Sequence, residues 1–363
     1  MTPMNTTSIP AQRLRSFTQQ VFVRLGYSAA DAERAAHVLH HADLRGHDTH
    51  GVANLVPIYV SGLSTGDIDL DAQPRWLQQR GACSLLDAAG GLGLLAGQQA
   101  MHHAIQLARD TGIGCVAVRG SSHFGAAGFY AELAREQGLI GLALTNLGKQ
   151  PVAHALGSRD PVLGTNPIAF AAPAGRLQPM LLDISTTVVA SGKVKQALRR
   201  GEPVPEGWLF DAQGQPVTDP ARYFQGDARL PMLGGPTCRT GGHKGLGLAL
   251  MVEVLCGALG GAHTPAQREQ PGRNSVGHLM LAIDPAAFGP AEVFAQAMDG
   301  LLGSIEQAAT LPGEPALRYP GQPDLQTLRQ RQREGVPLDQ PLLAQLAQLA
   351  ADLRLDPLQP LAT

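Results

Sequence analysis

CSLLDAAGGLGLLAGQQAMHHAIQLARDTGIGCVAVRGSSHFGAAGFYAELAREQGLIGLALTN, residues 83–146, alternates two textures. The run at 83–88 is a short apolar strand, and GLLAGQQAMHHAIQLARDTG after it has helical spacing. IGCVAVR (113–119) is a strand, SSHFGAAG a glycine-rich turn, GFYAELAREQG a helix and LIGLALTN a strand again. Strands alternating with helices predict an α/β fold.

Outward from that stretch, Leu14, Phe17, Val21 and Leu25 mark an opening helix that Gly26 can close. Ser28 with Asp31 predicts a capping box for a second helix, ended by Gly46. After Leu163 the chain breaks into short strands and turns rich in Pro and Gly. KGLGLALMVEVLCGALGG (244–261) is apolar around most of its circumference and reads as a buried helix. VGHLMLAID (276–284) is a strand and AEVFAQAMDGLLGSIEQA an amphipathic helix. The tail from Gln322 reads as helical from about Leu342 to Leu353, with packing as its default role.

The chain has 363 residues, 44% hydrophobic and 16% charged, enough for a sizeable core. At roughly 100–200 residues per domain, two or three lobes are expected. Net charge is −2 and aromatics are 4%, with no basic stripe interleaved with rings, so nucleic acid is not expected as a partner. Cys83, Cys115, Cys238 and Cys256 are scattered, which suits reduced thiols better than a disulfide framework or zinc site. The N-terminal residues carry no apolar signal core, and the longest apolar stretch is shorter than the roughly 20 residues a bilayer span needs. The expectation is a cytoplasmic protein without membrane contact.

Four segments carry candidate chemistry. Gly91-Leu-Gly93-Leu-Leu-Ala96 fits a dinucleotide fingerprint, but Asp110, the acidic residue at the right distance, lies in a helical run. We therefore read it as a helix-start turn. Asp43-Leu-Arg45-Gly-His47-Asp48-Thr49-His50-Gly51 crowds ionisable groups just beyond a helix end. It is a polar surface turn, half a metal site, or part of an active site. His123, at a strand end before a glycine-rich helix start, is placed where ligands bind in α/β folds. An imidazole there can exchange a proton with an alcohol or ketone, and the helix start can hold an anion. Gly164-Thr165-Asn166-Pro167, Leu182-Asp183-Ile184-Ser185-Thr186 and Ser191-Gly192-Lys193 offer a carboxylate for ribose, with hydroxyls and a lysine for phosphate. Alone these are generic strands and turns.

In this order and spacing, DLRGHDTHGV (43–52), SSHFGAAGFYA (121–131), LTN (144–146), VLGTNPIAFAAP (162–173), LLDIST (181–186), KGLGLALMVEVLCGALGGA (244–262), VGHLMLAIDP (276–285) and LPGE (311–314) resemble the malate/L-lactate dehydrogenase type 2 family. The resemblance spans about three quarters of the chain. It implies an α/β fold outside the Rossmann class, with NAD or NADP on a largely antiparallel sheet. It implies a homodimer whose helical N-terminal segment (1–80) joins the C-terminal segment (241–363) around a cofactor domain (81–240). The family's catalytic imidazole falls on His123 and its other proposed acid on His50, with Asp48 a candidate to steady one ring. Arg45, Asn54, Leu147 and Thr165 fall in the substrate region. Phe124, Gly125, Asn166, Pro167, Asp183, Ser185, Thr186, Lys193, Pro312, Gly313 and Glu314 fall on the cofactor, and no metal is implied.

The sequence departs from the family twice. Many members place an arginine where Asn54 stands, and a polar or basic residue where Leu147 stands. Arg45, Arg119, Lys149 or a partner-subunit residue could then supply the carboxylate-binding charge. Lys193, Lys195 and Arg199 are candidates for a 2′-phosphate. The reaction implied is hydride transfer between nicotinamide and C2 of a 2-hydroxy or 2-oxo acid. Reduction of a cyclic imino acid on the same scaffold is the alternative. A metal-dependent hydrolase built on His47, His50, His123 and Glu253 is a more distant one.

Overall fold

The computed structural model describes residues 6–360. Residues 1–5 and 361–363, the outer ends of the expected terminal segments, lie outside the described residues. The chain opens with β1 (Thr6–Ile9), α1 (Ala11–Arg24) and α2 (Ala29–Arg45). As the sequence predicts, the Ser28 side chain accepts the Asp31 N–H at 3.1 Å, and Gly46 ends α2 at φ 86°. A π-helical turn, Leu55–Val60, leads into α3 (Ser61–Thr65). Then come β2 (Arg75–Arg80), β3 (Cys83–Asp87), α4 (Gly93–Thr111), β4 (Ile113–Ser121), α5 (Ala127–Glu136) and β5 (Ile140–Thr145). Next are β6 (Ile168–Ala172), β7 (Met180–Ile184), α6 (Ser191–Arg200), β8 (Leu209–Phe210), β9 (Pro216–Val217) and α7 (Ala221–Phe224). The chain ends with α8 (Gly242–Glu253), β10 (Val276–Ile283), α9 (Ala291–Glu306), α10 (Gln322–Glu334), β11 (Val336–Asp339) and α11 (Gln340–Leu353).

One seven-stranded sheet organises the molecule, in the order β2-β3-β4-β10-β5-β6-β7. Only β3 and β4 run parallel, and every other neighbouring pair is antiparallel. That is the largely antiparallel, non-Rossmann sheet expected. The Gly91 match opens α4, and a Cβ on Gly93 would stand 2.2 Å from the Ser122 carbonyl. This glycine allows two backbones to meet rather than marking a dinucleotide site. Helix α4 lies across β4 and β10, and α5 across β5 and β6. Their apolar stripes bury Leu94, Met101, Phe129 and Tyr130 against Leu86, Val116 and Met280.

The boundary expected at residue 240 does not follow the sheet. Strand β10, from the C-terminal third, sits between β4 and β5. The two ends of the chain meet directly, since β1 pairs antiparallel with β11. A second, smaller core forms around Val194, Leu209, Val217 and Leu230 in the 188–230 region.

Three expectations need correction. The apolar run 244–261 is not one buried helix: α8 stops at Glu253 and continues as a π-helical turn, Val254–Ala258. Leu250, Val254 and Leu259 on it are 48%, 59% and 61% exposed in the single chain. Ser191–Val194 starts helix α6 and is not a strand or turn. The tail holds α10 and β11 before the expected helix, and α10 does more than fill space, as the site shows. No helix among the described residues is long and apolar enough to cross a membrane.

Candidate active site

Two imidazoles meet at the head of a cleft of about 540 Å³. His123 follows β4 in a turn that needs Gly125 at φ 80°. His50 comes from the loop after α2. Their rings stack with centroids 5.8 Å apart and planes 22° from parallel. His123 Nδ1 accepts the Gly125 N–H at 3.2 Å and lies 2.8 Å from the Tyr59 hydroxyl. His50 Nδ1 lies 2.9 Å from Thr49 Oγ1. Burial above all, with each ring's imidazole neighbours adding, pushes His123 down to about 3 and His50 down to about 4. Both rings are neutral near pH 7 and can accept a proton only when a ligand compensates the charge.

The loop that carries His50 is held rigidly. Asp43 accepts the Val52 N–H with both carboxylate oxygens, at 3.0 and 3.1 Å. A Cβ on Gly51 would stand 1.8 Å from that carboxylate, so any side chain there would push Asp43 off the Val52 N–H. From α10, Arg331 donates to the Asp43 carbonyl at 2.6 Å and pairs with the Asp48 carboxylate. Asp48 therefore anchors the loop to the C-terminal segment, and among the described hydrogen bonds it meets Arg331 rather than the His50 or His123 ring it was expected to steady. His47 likewise faces Asp324 of α10 at 3.4 Å.

The expected sources of positive charge point elsewhere. Arg45 is buried and bonds both oxygens of Glu132 at 2.5 Å. Arg119 pairs with Asp87 at 3.1 Å, and Lys149 donates to the carbonyls of Gln270 and Gly272. Arg199 pairs with Asp339 at 2.7 Å, so it is tied to β11. The cations that do line the cleft are Arg159 and Lys195, neither singled out as a carboxylate partner from sequence. Asn54, Leu147 and Thr165 also line it, as expected of substrate positions. Asn54 directs its Nδ2 to the Thr49 carbonyl at 2.8 Å.

The residues expected on the cofactor divide. Phe124 is core: its ring stacks between Tyr130 and His278 at 4.6 and 4.5 Å. Gly125 shapes the His123 turn. Asn166 is fully buried with φ 37°, and its Nδ2 donates to Glu253 at 2.8 Å and to the Ala249 carbonyl at 3.0 Å. It fixes the turn that presents Thr165. Pro167 is half-buried ahead of β6. Asp183 accepts the Gly128 N–H at 2.7 Å, so it caps the helix start expected to hold an anion. Ser185 and Thr187 bond each other at 3.1 Å, and Thr186 bonds the Thr165 carbonyl at 3.0 Å. Lys193 is exposed, and Pro312, Gly313 and Glu314 form an exposed turn. None of these residues from Phe124 to Glu314 lines the cleft beside the imidazoles.

A dinucleotide needs an apolar wall for its nicotinamide face, with hydroxyls and cations for ribose and phosphate. The cleft offers Ile58, Leu147 and Val152 as apolar lining and Thr49, Ser191 and Lys195 as polar or charged lining. It also presents His154, whose buried Nδ1 has no partner among the described residues. These surroundings fit such a group. The hydrolase constellation does not assemble: the Glu253 carboxylate lies between Asn146 and Asn166 at 2.7 and 2.8 Å. No group of three His, Cys, Asp or Glu among the described residues is arranged for a metal ion. A larger groove of about 910 Å³, beside α9, is lined by Arg176, Glu292 and Asp299 and contains no imidazole.

Sequence reading missed Tyr59, Arg159, Asp324 and Arg331 as contributors. Tyr59 sits in the apolar run LVPIYV and reads as core, yet a fully buried tyrosine hydroxyl needs a polar partner.

The profile of the malate/L-lactate dehydrogenase family matches residues 9–347. A malate dehydrogenase of Pyrococcus abyssi is 38% identical over 348 residues, 95% of each chain. A (2R)-3-sulfolactate dehydrogenase (NADP(+)) of Chromohalobacter salexigens is 40% identical over 78% of this chain and 80% of its own. The crystal structure of malate dehydrogenase from Entamoeba histolytica superposes with a TM-score of 0.91 at 29% identity, covering 97% of this chain and 99% of that one.

Proposed function

This chain belongs to the malate/L-lactate dehydrogenase family, and from that premise we propose that it interconverts a 2-hydroxy acid and its 2-oxo acid with NAD or NADP. The stacked His50–His123 pair at the head of the cleft carries this reading. The nicotinamide, when bound, exchanges hydride with C2 of the substrate. The residues suited to hold it are Thr49, Thr165 and Ser191. Asp183, Ser185, Thr186, Lys193 and the Pro312–Glu314 turn remain cofactor candidates by resemblance.

His123 takes the hydroxyl proton on oxidation and returns it on reduction, through the nitrogen not held by Gly125 and Tyr59. His50, stacked on it, hydrogen-bonds the reacting oxygen. Arg159 and Lys195 supply the positive charge that Asn54 lacks, which favours a substrate with an anionic group away from the reacting carbon. Leu147 gives the substrate one apolar wall. A second copy of the chain is proposed to cover Leu250, Val254 and Leu259, and sedimentation would report a dimer.

The test offers purified protein a panel of 2-oxo acids and cyclic imino acids with NADH or NADPH, followed by nicotinamide absorbance. Turnover of a 2-oxo acid carrying a second anionic group is the expected result. Turnover of an imino acid alone would move the reading to C=N reduction. Failure to bind either nucleotide would sink the dehydrogenase reading.

A further inference from the structure

We infer that Tyr59 is a positioning residue that sets which nitrogen of His123 carries the proton. The inference rests on the reading of His123 as proton carrier. Two groups converge on the same ring nitrogen, and they give it opposite instructions. The Gly125 backbone N–H can only donate, so its 3.2 Å contact asks Nδ1 for a lone pair. That places the ring hydrogen on Nε2, the nitrogen of this cleft-lining residue that has no hydrogen-bond partner among the described residues. Such a ring can donate to a substrate oxygen but cannot take a proton from it. The Tyr59 hydroxyl, 2.8 Å from the same Nδ1, can donate or accept. By accepting, it stabilises the Nδ1–H form, and Nε2 is then an open base.

Proton transfer balances in these terms. As a substrate hydroxyl loses its proton, its O–H bond breaks and the Nε2–H bond forms. The ring becomes an imidazolium whose Nδ1–H stays on the Tyr59 oxygen, and the C2 hydride would pass to the oxidised nicotinamide of NAD or NADP, which balances the oxidation. No carboxylate hydrogen-bonds this ring among the described contacts. The titratable groups that face it are Tyr59 from the π-helical turn, His50 from the loop after α2 and His278 from β10. Both of these imidazoles oppose a charge on His123. Tyr59 is therefore the neighbour with a free oxygen lone pair for the imidazolium. Its ring is fully buried, tilted 60° against Phe22 at 6.2 Å, so the hydroxyl is aimed by packing. Burial pushes its own ionisation far up, so it works as a neutral hydroxyl.

The experiment is nitrogen-15 NMR of histidine-labelled protein, with His123→Gln identifying the His123 signals. The wild type is expected to populate the Nδ1–H tautomer at neutral pH, and its complete absence would overturn the inference. Tyr59→Phe keeps the buried ring and removes the oxygen. It should shift the ring to Nε2–H, lower the His123 pKa and slow L-malate oxidation with NAD about tenfold. In the His123→Gln background the same substitution should change nothing further. An unchanged tautomer ratio in Tyr59→Phe, or an undiminished rate loss in that background, would leave Tyr59 a purely structural residue. If His123→Gln itself keeps full turnover while Tyr59→Phe still moves the tautomer, the proton-carrier reading falls and the positioning contact stands.

Discussion

The two walls of the cleft are built on different foundations. One holds His50, His123 and Asn54 and stands on the main core, pinned by Asp43, Arg331 and Tyr59. The other holds Lys195, Tyr223 and Phe224 and stands on the small core around Val194, Leu209 and Leu230. The first wall is partly buried, its imidazoles are held neutral by burial, and it is tightly hydrogen-bonded. The second is exposed and cationic, and Phe224 on it is 50% exposed. The proposed proton transfer needs close placement, which the rigid wall supplies. Binding a substrate's distal charge tolerates more play, and an exposed cation adapts at low cost. On the proposed roles of these residues, rate and affinity in this cleft are separable.

The largest effect that could break this division is at His123. Replacing it by Ala should lower kcat by about 10²–10⁴ while NADH binding, read by nucleotide fluorescence, stays close to wild type. A loss seen only in KM would place His123 on the binding side. Next comes the small core. Leu230→Ala removes a fully buried side chain and should cost about 2–5 kcal/mol, taken mainly from the lobe it supports. The chain has two tryptophans, and Trp208 packs against this core. In a Trp76→Phe background, Trp208 fluorescence would report the lobe loosening before the rest unfolds. A single transition shared with far-UV circular dichroism would mean that the two walls fold as one.

A smaller effect is expected at the cations. Arg159→Ala and Lys195→Ala should each raise KM for oxaloacetate about tenfold with kcat nearly kept, and added salt should weaken wild-type binding in the same sense. Salt-independent KM values would show that neither charge reaches the substrate.

Much of the rigid wall was legible because its signals are local. The His123 turn follows a strand with clear apolar periodicity, and Ser28 and Gly46 bracket α2 with ordinary capping chemistry. What stayed hidden is held by partners far apart in the chain. Arg331 and Asp48 are 283 positions apart, and no spacing rule pairs them. Arg45 looked available because its partner Glu132 lies 87 positions on, across the α2–α5 contact. Helix α10 was missed because its sequence, QPDLQTLRQRQRE, has only Leu325 and Leu328 to mark an apolar face. The long apolar run at 244–261 misled in the opposite sense, since a helix apolar all round reads as buried whether its cover is this chain or another.

A last prediction separates the walls by pH. His278 sits beneath the imidazole wall, with Nδ1 2.7 Å from Thr145 Oγ1 and Nε2 2.8 Å from Ser121 Oγ. Burial holds it down to about 3, as it holds His123 to about 3 and His50 to about 4. An unfolded histidine titrates near 6.5. Between these values the unfolded chain takes up protons that the folded chain refuses. Stability is therefore fully present above about pH 6.5 and is lost as pH falls, at about 1.4 kcal/mol per pH unit for each such histidine. His278→Gln should lower stability at pH 7, because its ring hydrogen bonds are altered, yet flatten the decline between pH 6.5 and pH 4.5. Urea midpoints across that range would measure both. A slope unchanged by the substitution would mean that His278 is not held neutral, and the contrast between a neutral imidazole wall and an exposed cationic one would lose its base.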